Sequence, residues 1–163
     1  MKEYFLKLYQ YNAWANHRVI ESLDRQQVKD EKILRIFGHL VCAQLIWFNR
    51  FKGLPKSPLQ LWGNYSIFEL KSIAEEASRS WLGFIDEEDQ FDRILKYTNY
   101  VGDYYETNIR DLMTHLVNHC TYHRGQVAVL LREKGFEPIN TDFVTYDRII
   151  SGQLKENQIK KPL

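Results

Sequence analysis

Residues 107–135, TNIRDLMTHLVNHCTYHRGQVAVLLREKG, decide how this chain folds. Leu112, Leu116, His119, His123, Val127 and Leu130 follow one another in steps of 4, 3, 4, 4 and 3, the spacing of a single α-helical face. Asp111 falls in the first turns, Arg132 and Lys134 lie near the end, and Gly135 precedes Pro138. Dipole and capping rules favour that order, so a long helix is predicted from about Thr107 to Lys134.

Three more helices lie upstream. Phe5, Leu8, Tyr11, Ala15, Val19 and Leu23 predict one from Lys2 to about Leu23. Ile33, Phe37, Leu40, Ala43, Trp47 and Phe51 predict a second from Lys32 to Phe51, ended by Gly53, Pro55 and Pro58. Ser66 with Glu69 three residues later is the reciprocal cap of a helix start. Leu70, Ile73, Ala77, Trp81 and Phe84 then carry a third helix from Ser66 to about Ile85. Between Asp92 and Glu106, β-favouring Ile94, Tyr97, Thr98, Tyr100, Val101, Tyr104 and Tyr105 surround Gly102-Asp103, which predicts a small hairpin. Beyond the last long helix, Thr141-Asp142 is expected to cap a short fifth helix through Ile150, and the polar tail 151–163 to fray.

The expected fold class is all-α, an antiparallel four-helix bundle over residues 1–150 with a β-hairpin between helices 3 and 4. At 163 residues the chain has the length of one domain, able to bury about 70% of its extended surface. Apolar residues at 44% and charged residues at 26% disfavour disordered and fibrous classes. Lysine and arginine total 22 against 21 acidic residues, so charge gives no support for a nucleic-acid partner. No apolar run reaches the roughly 20 residues of a membrane span, and residues 1–18 lack the order of a secretion signal. A cytoplasmic location with no membrane partner is expected. Two cysteines, Cys42 and Cys120, are too few for a disulfide scaffold and are expected to stay thiols.

The chemistry lies in the imidazoles. Two of the six inward positions on the last long helix are His119 and His123, and burying both among leucines leaves four polar ring atoms to satisfy. Residues at i and i+4 share a helical face and can reach one ion. An isolated H-x-x-x-H pair is more often surface or ordinary core, so a third ligand matters. His39, in the apolar middle of helix 2, supplies it if the two helices face each other. Three imidazoles leave coordination positions open, the catalytic rather than the structural pattern.

His115, one turn before His119, is expected beside the site rather than on the ion, and His17, between Asn16 and Arg18, in solvent. Cys120 is about 100° around the helix from His119 and is expected to miss the ion. Cys42 is read as a small buried hydrophobe. The aromatic residues of helix 1, with Trp47, Phe48 and Phe51, are assigned to the core, and the acidic run 86–89 to a solvated helix end. No Gly-rich phosphate loop, G-x-S-x-G elbow or C-x-x-C pair is present.

Residues 11–16 (YNAWAN), 38–40 (GHL) and 118–126 (NHCTYHRGQ), with Gly135, Pro138 and Thr141-Asp142 downstream, resemble the DinB family of metal-binding bundles, which includes YfiT-like proteins and thiol-dependent S-transferases. The resemblance implies up-down-down-up topology, a divalent zinc or nickel ion on His39, His119 and His123, and a homodimer. It further implies a low-molecular-weight thiol, such as bacillithiol or mycothiol, whose metal-bound thiolate attacks an electrophile. The family name records induction by DNA damage, which implies a stress setting and not contact with DNA. Tyr122 stands where the family often carries another histidine. Gly125 and Gln126 are assigned to helix packing and to hydrogen bonding behind the ligands. Arg124 is open to two roles, orienting an acidic group on the thiol or forming an exposed salt bridge. A metal-dependent hydrolase acting through bound water, and a non-enzymatic stress-induced metal-binding dimer, are the competing functions.

Overall fold

The computed structural model describes residues 1–99 and 101–159. Four long helices form the body: α1 (Lys2–Arg25), α2 (Glu31–Phe51), α3 (Ile67–Glu87) and α4 (Ile109–Glu133). Strands β1 (Ile94–Thr98) and β2 (Tyr104–Asn108) lie between α3 and α4, and the short α5 (Phe143–Ile150) follows. Residues 156–158 form a 3-10 turn whose Glu156 accepts a hydrogen bond from the Trp14 indole at 3.1 Å. The last part of the tail expected to fray, 160–163, and Tyr100 of the expected hairpin lie outside the described residues.

Local chemistry sets most of the ends. Asp30 accepts from the backbone N–H groups of Lys32 and Ile33 at the start of α2, and Ser66 and Glu69 form the reciprocal cap at the start of α3. The predicted opening of α4 at Thr107 shifts by two residues because Thr107 still pairs with Leu95 in the hairpin. Asn108 then ends the ladder and caps the helix by accepting from Arg110 N–H. Gly135, at φ +80°, closes α4 in the left-handed conformation that glycine enters without steric cost. α1 runs two residues past the predicted Leu23 and ends through Gln27, at φ 53°, with Val28 N–H bonded back to Leu23 O. A glutamine there gives no stop signal to the eye.

Pairwise contacts fix the helix directions. Tyr9 reaches Met113 and Asn12 and Asn16 reach Arg124, so α1 and α4 run parallel. Asp30 pairs with Lys134 while Trp47 approaches His115, so α2 and α4 are antiparallel. Gly38 lies against Leu70 and Phe51 against Phe84, so α2 and α3 are parallel. The bundle is up-down-down-up, and the connection 52–66 must return along its length.

Two apolar cores stack along the axis. One gathers Leu23, Ile33, Phe37, Leu70, Val127 and Leu131, and the other Phe5, Tyr9, Trp81, Phe84, Met113 and Leu116. A buried polar belt of Asn12, Asn16, Gln44 and Arg124 lies at the waist. Arg124 donates to Asn12 Oδ1 at 2.7 Å, Asn16 Oδ1 at 2.8 Å, Thr121 Oγ1 at 2.9 Å and the Tyr11 hydroxyl at 3.0 Å. Asn12 in turn donates to Gln44 Oε1 at 2.8 Å, tying α1 to α2. This corrects the exposed salt bridge expected of Arg124: it is 3% exposed, its bonds run to helix 1 and to Thr121 of its own helix, and among the described residues no salt bridge to a carboxylate is formed by it.

Candidate metal centre

His39 reaches the waist because it follows Phe37 and precedes Leu40 on the buried face of α2. His119 and His123 reach it from the facing stripe of α4. Their three Nε2 atoms converge: His119 Nε2 lies 3.0 Å from that of His39 and 3.1 Å from that of His123. One nitrogen from each of the three lies within 4.8 Å of the others, a group able to hold a metal ion. Tetrahedral zinc with metal–nitrogen bonds near 2.05 Å needs a nitrogen–nitrogen edge of about 3.3 Å. Shifts of a few tenths of an ångström would accommodate it.

The far side of each ring decides which nitrogen faces inward. His39 Nδ1 sits 3.2 Å from the carbonyl oxygen of Leu61, and His123 Nδ1 sits 2.7 Å from Gln126 Oε1. Both partners can only accept, so each Nδ1 carries the proton and each Nε2 presents a bare lone pair. His119 Nε2 can share at most one proton with two such neighbours, and its buried Nδ1 has no hydrogen-bond partner. Convergent lone pairs with protons fixed behind them are what a cation requires and what ordinary core packing avoids.

Electrostatics agree. Burial lowers the His39 pKa to about 4, the His123 charge adds to the effect, and the Leu61 bond opposes it. Burial likewise lowers His119 to about 3, with the charges of His123, His39 and His115 contributing. Both rings are therefore neutral at pH 7 without a metal. No carboxylate belongs to the cluster, so a divalent cation there would keep its full charge and favour an anionic external ligand.

The site is open on one side. A cleft of about 310 Å³ is lined by His39, His119, Trp47 and Arg50, by Leu61 of the return loop, and by Tyr97 and Tyr105 of the hairpin. The indole of Trp62 stacks on His39 with centroids 3.7 Å apart and planes 10° apart. Sequence reasoning missed Leu61, Trp62, Tyr97 and Tyr105 as site residues, although parallel α2 and α3 force the 52–66 loop past the waist. Trp47, assigned to the core, is half-buried and forms part of the cleft wall, with Tyr97 at 5.0 Å.

The other candidates fall where their helical angles put them. His115 is exposed, with its ring 5.5 Å from that of His119, outside the three-nitrogen group. His17 is exposed beside Glu21. Cys120 is fully buried with its sulfur toward Leu40 O, and burial pushes its thiol up to about 11. Cys42 is also buried, and its thiol is pushed to about 11 chiefly by burial. Neither offers a thiolate at neutral pH.

The sequence profile of the DinB family matches residues 1–155. The chain belongs to the DinB family. It is similar to Protein DinB of Bacillus subtilis (strain 168), with 26% identity over an alignment that covers 90% of this chain and 95% of that protein. The motifs that mark this DinB chain have separate structural tasks: residues 38–40 and 118–126 carry the three imidazoles, while Tyr11, Asn12 and Asn16 hold Arg124. Among the described residues no helix is long and apolar enough to cross a membrane.

Proposed function

We propose that this DinB protein is a metal-dependent thiol S-transferase, with a divalent zinc or nickel ion on His39, His119 and His123. The observation that carries the reading is the convergence of three Nε2 atoms beside an open cleft that His39 and His119 line, with His39 and His123 each held from behind by an oxygen acceptor. A divalent ion bound there would stabilise the thiolate of an added low-molecular-weight thiol, the reactive form, near neutral pH.

The chain's own residues do the remaining work. Leu61 O and Gln126 Oε1 keep the protons of His39 and His123 on the outer nitrogens. Trp62 covers one face of His39 and keeps water from it. Tyr97 and Tyr105 wall the cleft with aromatic surface suited to a small electrophile. Cys42 and Cys120 are buried, so the sulfur nucleophile comes from outside the chain. Assembly as a homodimer in a reducing compartment belongs to the same reading, and light scattering in solution tests the assembly.

The deciding experiment pairs metal content per chain with disappearance of an electrophile such as 1-chloro-2,4-dinitrobenzene, with and without cysteine as added thiol. About one zinc or nickel per chain, and turnover that needs both thiol and metal, support the reading. Metal-dependent turnover equal without thiol points to the hydrolase. Metal binding with no turnover of a panel of electrophiles points to the non-enzymatic protein.

A further inference from the structure

The return loop 52–66 meets α2 through two consecutive carbonyls. His39 Nδ1 donates to Leu61 O at 3.2 Å, and one turn earlier on the helix Arg35 Nε donates to Trp62 O at 3.1 Å. Arg35 and His39 are spaced i and i+4, so they lie on one face of α2. Both carbonyls face that helix because Leu61 and Trp62 sit in a turn, closed where Gly63 N–H donates to Gln60 O at 3.1 Å.

Side chains make this turn one unit. The Tyr65 hydroxyl accepts from Gln60 N–H at 2.8 Å and donates to Gln60 O at 2.9 Å, so residues 60–65 form a closed ring. Gly63 has no room for a larger residue, since a Cβ there would lie 2.8 Å from the Tyr65 ring. The same ring packs on α2, 3.3 Å from where a Cβ on Gly38 would stand. A unit closed in this way shifts as a whole, so a displacement at Trp62 O reaches Leu61 O. The His39 bond is sensitive to it, because 3.2 Å is the long end of the N–H···O range. The Trp62 indole, stacked on His39 with centroids 3.7 Å apart, moves with the same backbone.

We infer that Arg35 is a positioning residue of the metal centre: by holding Trp62 O it keeps Leu61 O behind His39 and the indole over the His39 ring, so that an ion on the three histidines leaves slowly. This rests on the metal reading above and adds to it the residue that holds the α2 ligand from outside. Arg35 is exposed, is not one of the three ligands and does not line the cleft, so it acts through the loop.

The test uses full-length protein with isotope-labelled histidine and two variants: Arg35→Met, which keeps the stem and removes the donor, and Arg35→Lys, which keeps a donor. In metal-free protein the imidazole nitrogen resonances report the tautomer of each ring. His39 should carry its proton on Nδ1 in the parent, become a mixture of tautomers in Arg35→Met and recover in Arg35→Lys. His123, held by Gln126 of its own helix, should stay unchanged in all three. In zinc-loaded protein, transfer of the ion to excess chromophoric chelator should be about tenfold faster in Arg35→Met, the low end of what a partner behind a metal ligand contributes. Gly63→Ala, which forces the same turn apart from its far side, should act in the same direction. The metal-free melting temperature should move little in the Arg35 variants, because the bond lies at the surface. An unchanged His39 tautomer, or an unchanged rate of zinc release, in Arg35→Met overturns the role and leaves the metal reading standing. Equal changes at His39 and His123 also overturn it, since they would report a general loosening of the bundle. If the parent takes up no zinc, the metal reading fails and this role falls with it.

Discussion

His39 and His119 stand 80 residues apart in the chain and 3.0 Å apart between their Nε2 atoms. His123 Nε2 lies 3.1 Å from the same His119 nitrogen, which can donate its one proton to only one of the two, so one close nitrogen pair stays unbridged until a cation binds. Zinc or nickel at about a hundredfold over its dissociation constant should add about 2.7 kcal/mol to folding. For a domain of this size that is a rise in melting temperature of about 5–11 °C. Calorimetry with and without metal checks it, and His119→Ala should lose the increment. An equal rise in that variant would place the ion elsewhere.

The same contact has a pH signature. His39 and His119 have folded pKa values near 4 and 3, below the ordinary imidazole value of 6.5. A depressed histidine pKa means the unfolded chain takes up protons first. The stability held by the neutral rings is therefore fully present above pH 6.5 and is lost as pH falls from 6.5 through 4 toward 3. In metal-free protein the ring C–H resonances of His39 and His119 should not shift between pH 8 and 5, whereas those of a ring titrating near 6.5 should move across that range. Titration of either ring near 6.5 would show that the waist is wetter than the structure implies.

The sequence made the bundle legible because each long helix has one apolar face and conventional ends, and the cap at Ser66 and the stop at Gly135 appear where they were read. His119 and His123 were legible as a pair because four residues return to the same helical face. His39 was legible only by assuming that α2 faces α4, which no local pattern states. What stayed hidden depends on the crossover. Parallel α2 and α3 draw the irregular loop back past the waist, and only that path puts Leu61 O behind His39 and Trp62 on its face. Arg124 misled for a related reason: its burial follows from Asn12 and Asn16 more than 100 residues away, and an arginine is rarely buried without an acidic partner.

That belt is a point of fragility. Arg124 is buried with neutral oxygen acceptors, and Asn12 serves both it and Gln44. Asn12→Ala removes one bond to a charged group and one neutral bond while the charge stays buried, a loss of about 3 kcal/mol. Arg124→Lys should cost a similar amount, because an ammonium lacks the planar fork that reaches Asn12, Asn16, Tyr11 and Thr121 together. Urea denaturation measures both. A change under about 0.5 kcal/mol in Asn12→Ala would mean that water satisfies the arginine.

The two thiols of the chain should be silent. Cys42 and Cys120 are buried, and burial raises each to about 11. Ellman's reagent at pH 8 should therefore label neither in folded protein and both after denaturation. Fast labelling of one equivalent in the native state would bring a chain cysteine into the chemistry and remove the need for an external thiol.

Gln126 is the sharpest test of how the centre is held. Its Oε1 lies 2.7 Å from His123 Nδ1, close enough to fix the tautomer and to make Nε2 a better donor to a metal. Partners of this kind typically contribute ten- to a hundredfold to metal affinity. Gln126→Leu keeps similar bulk and removes the acceptor, so metal affinity measured against a chromophoric chelator should fall by that factor while the metal-free melting temperature moves little. Gln126→Glu restores an acceptor, now charged, and should recover or exceed the parent affinity. The opposing pair of effects separates an electronic role from packing: a loss in both variants would mean that Gln126 merely fills space beside α2, and no loss in either would mean that the His123 ring is oriented by its helix alone.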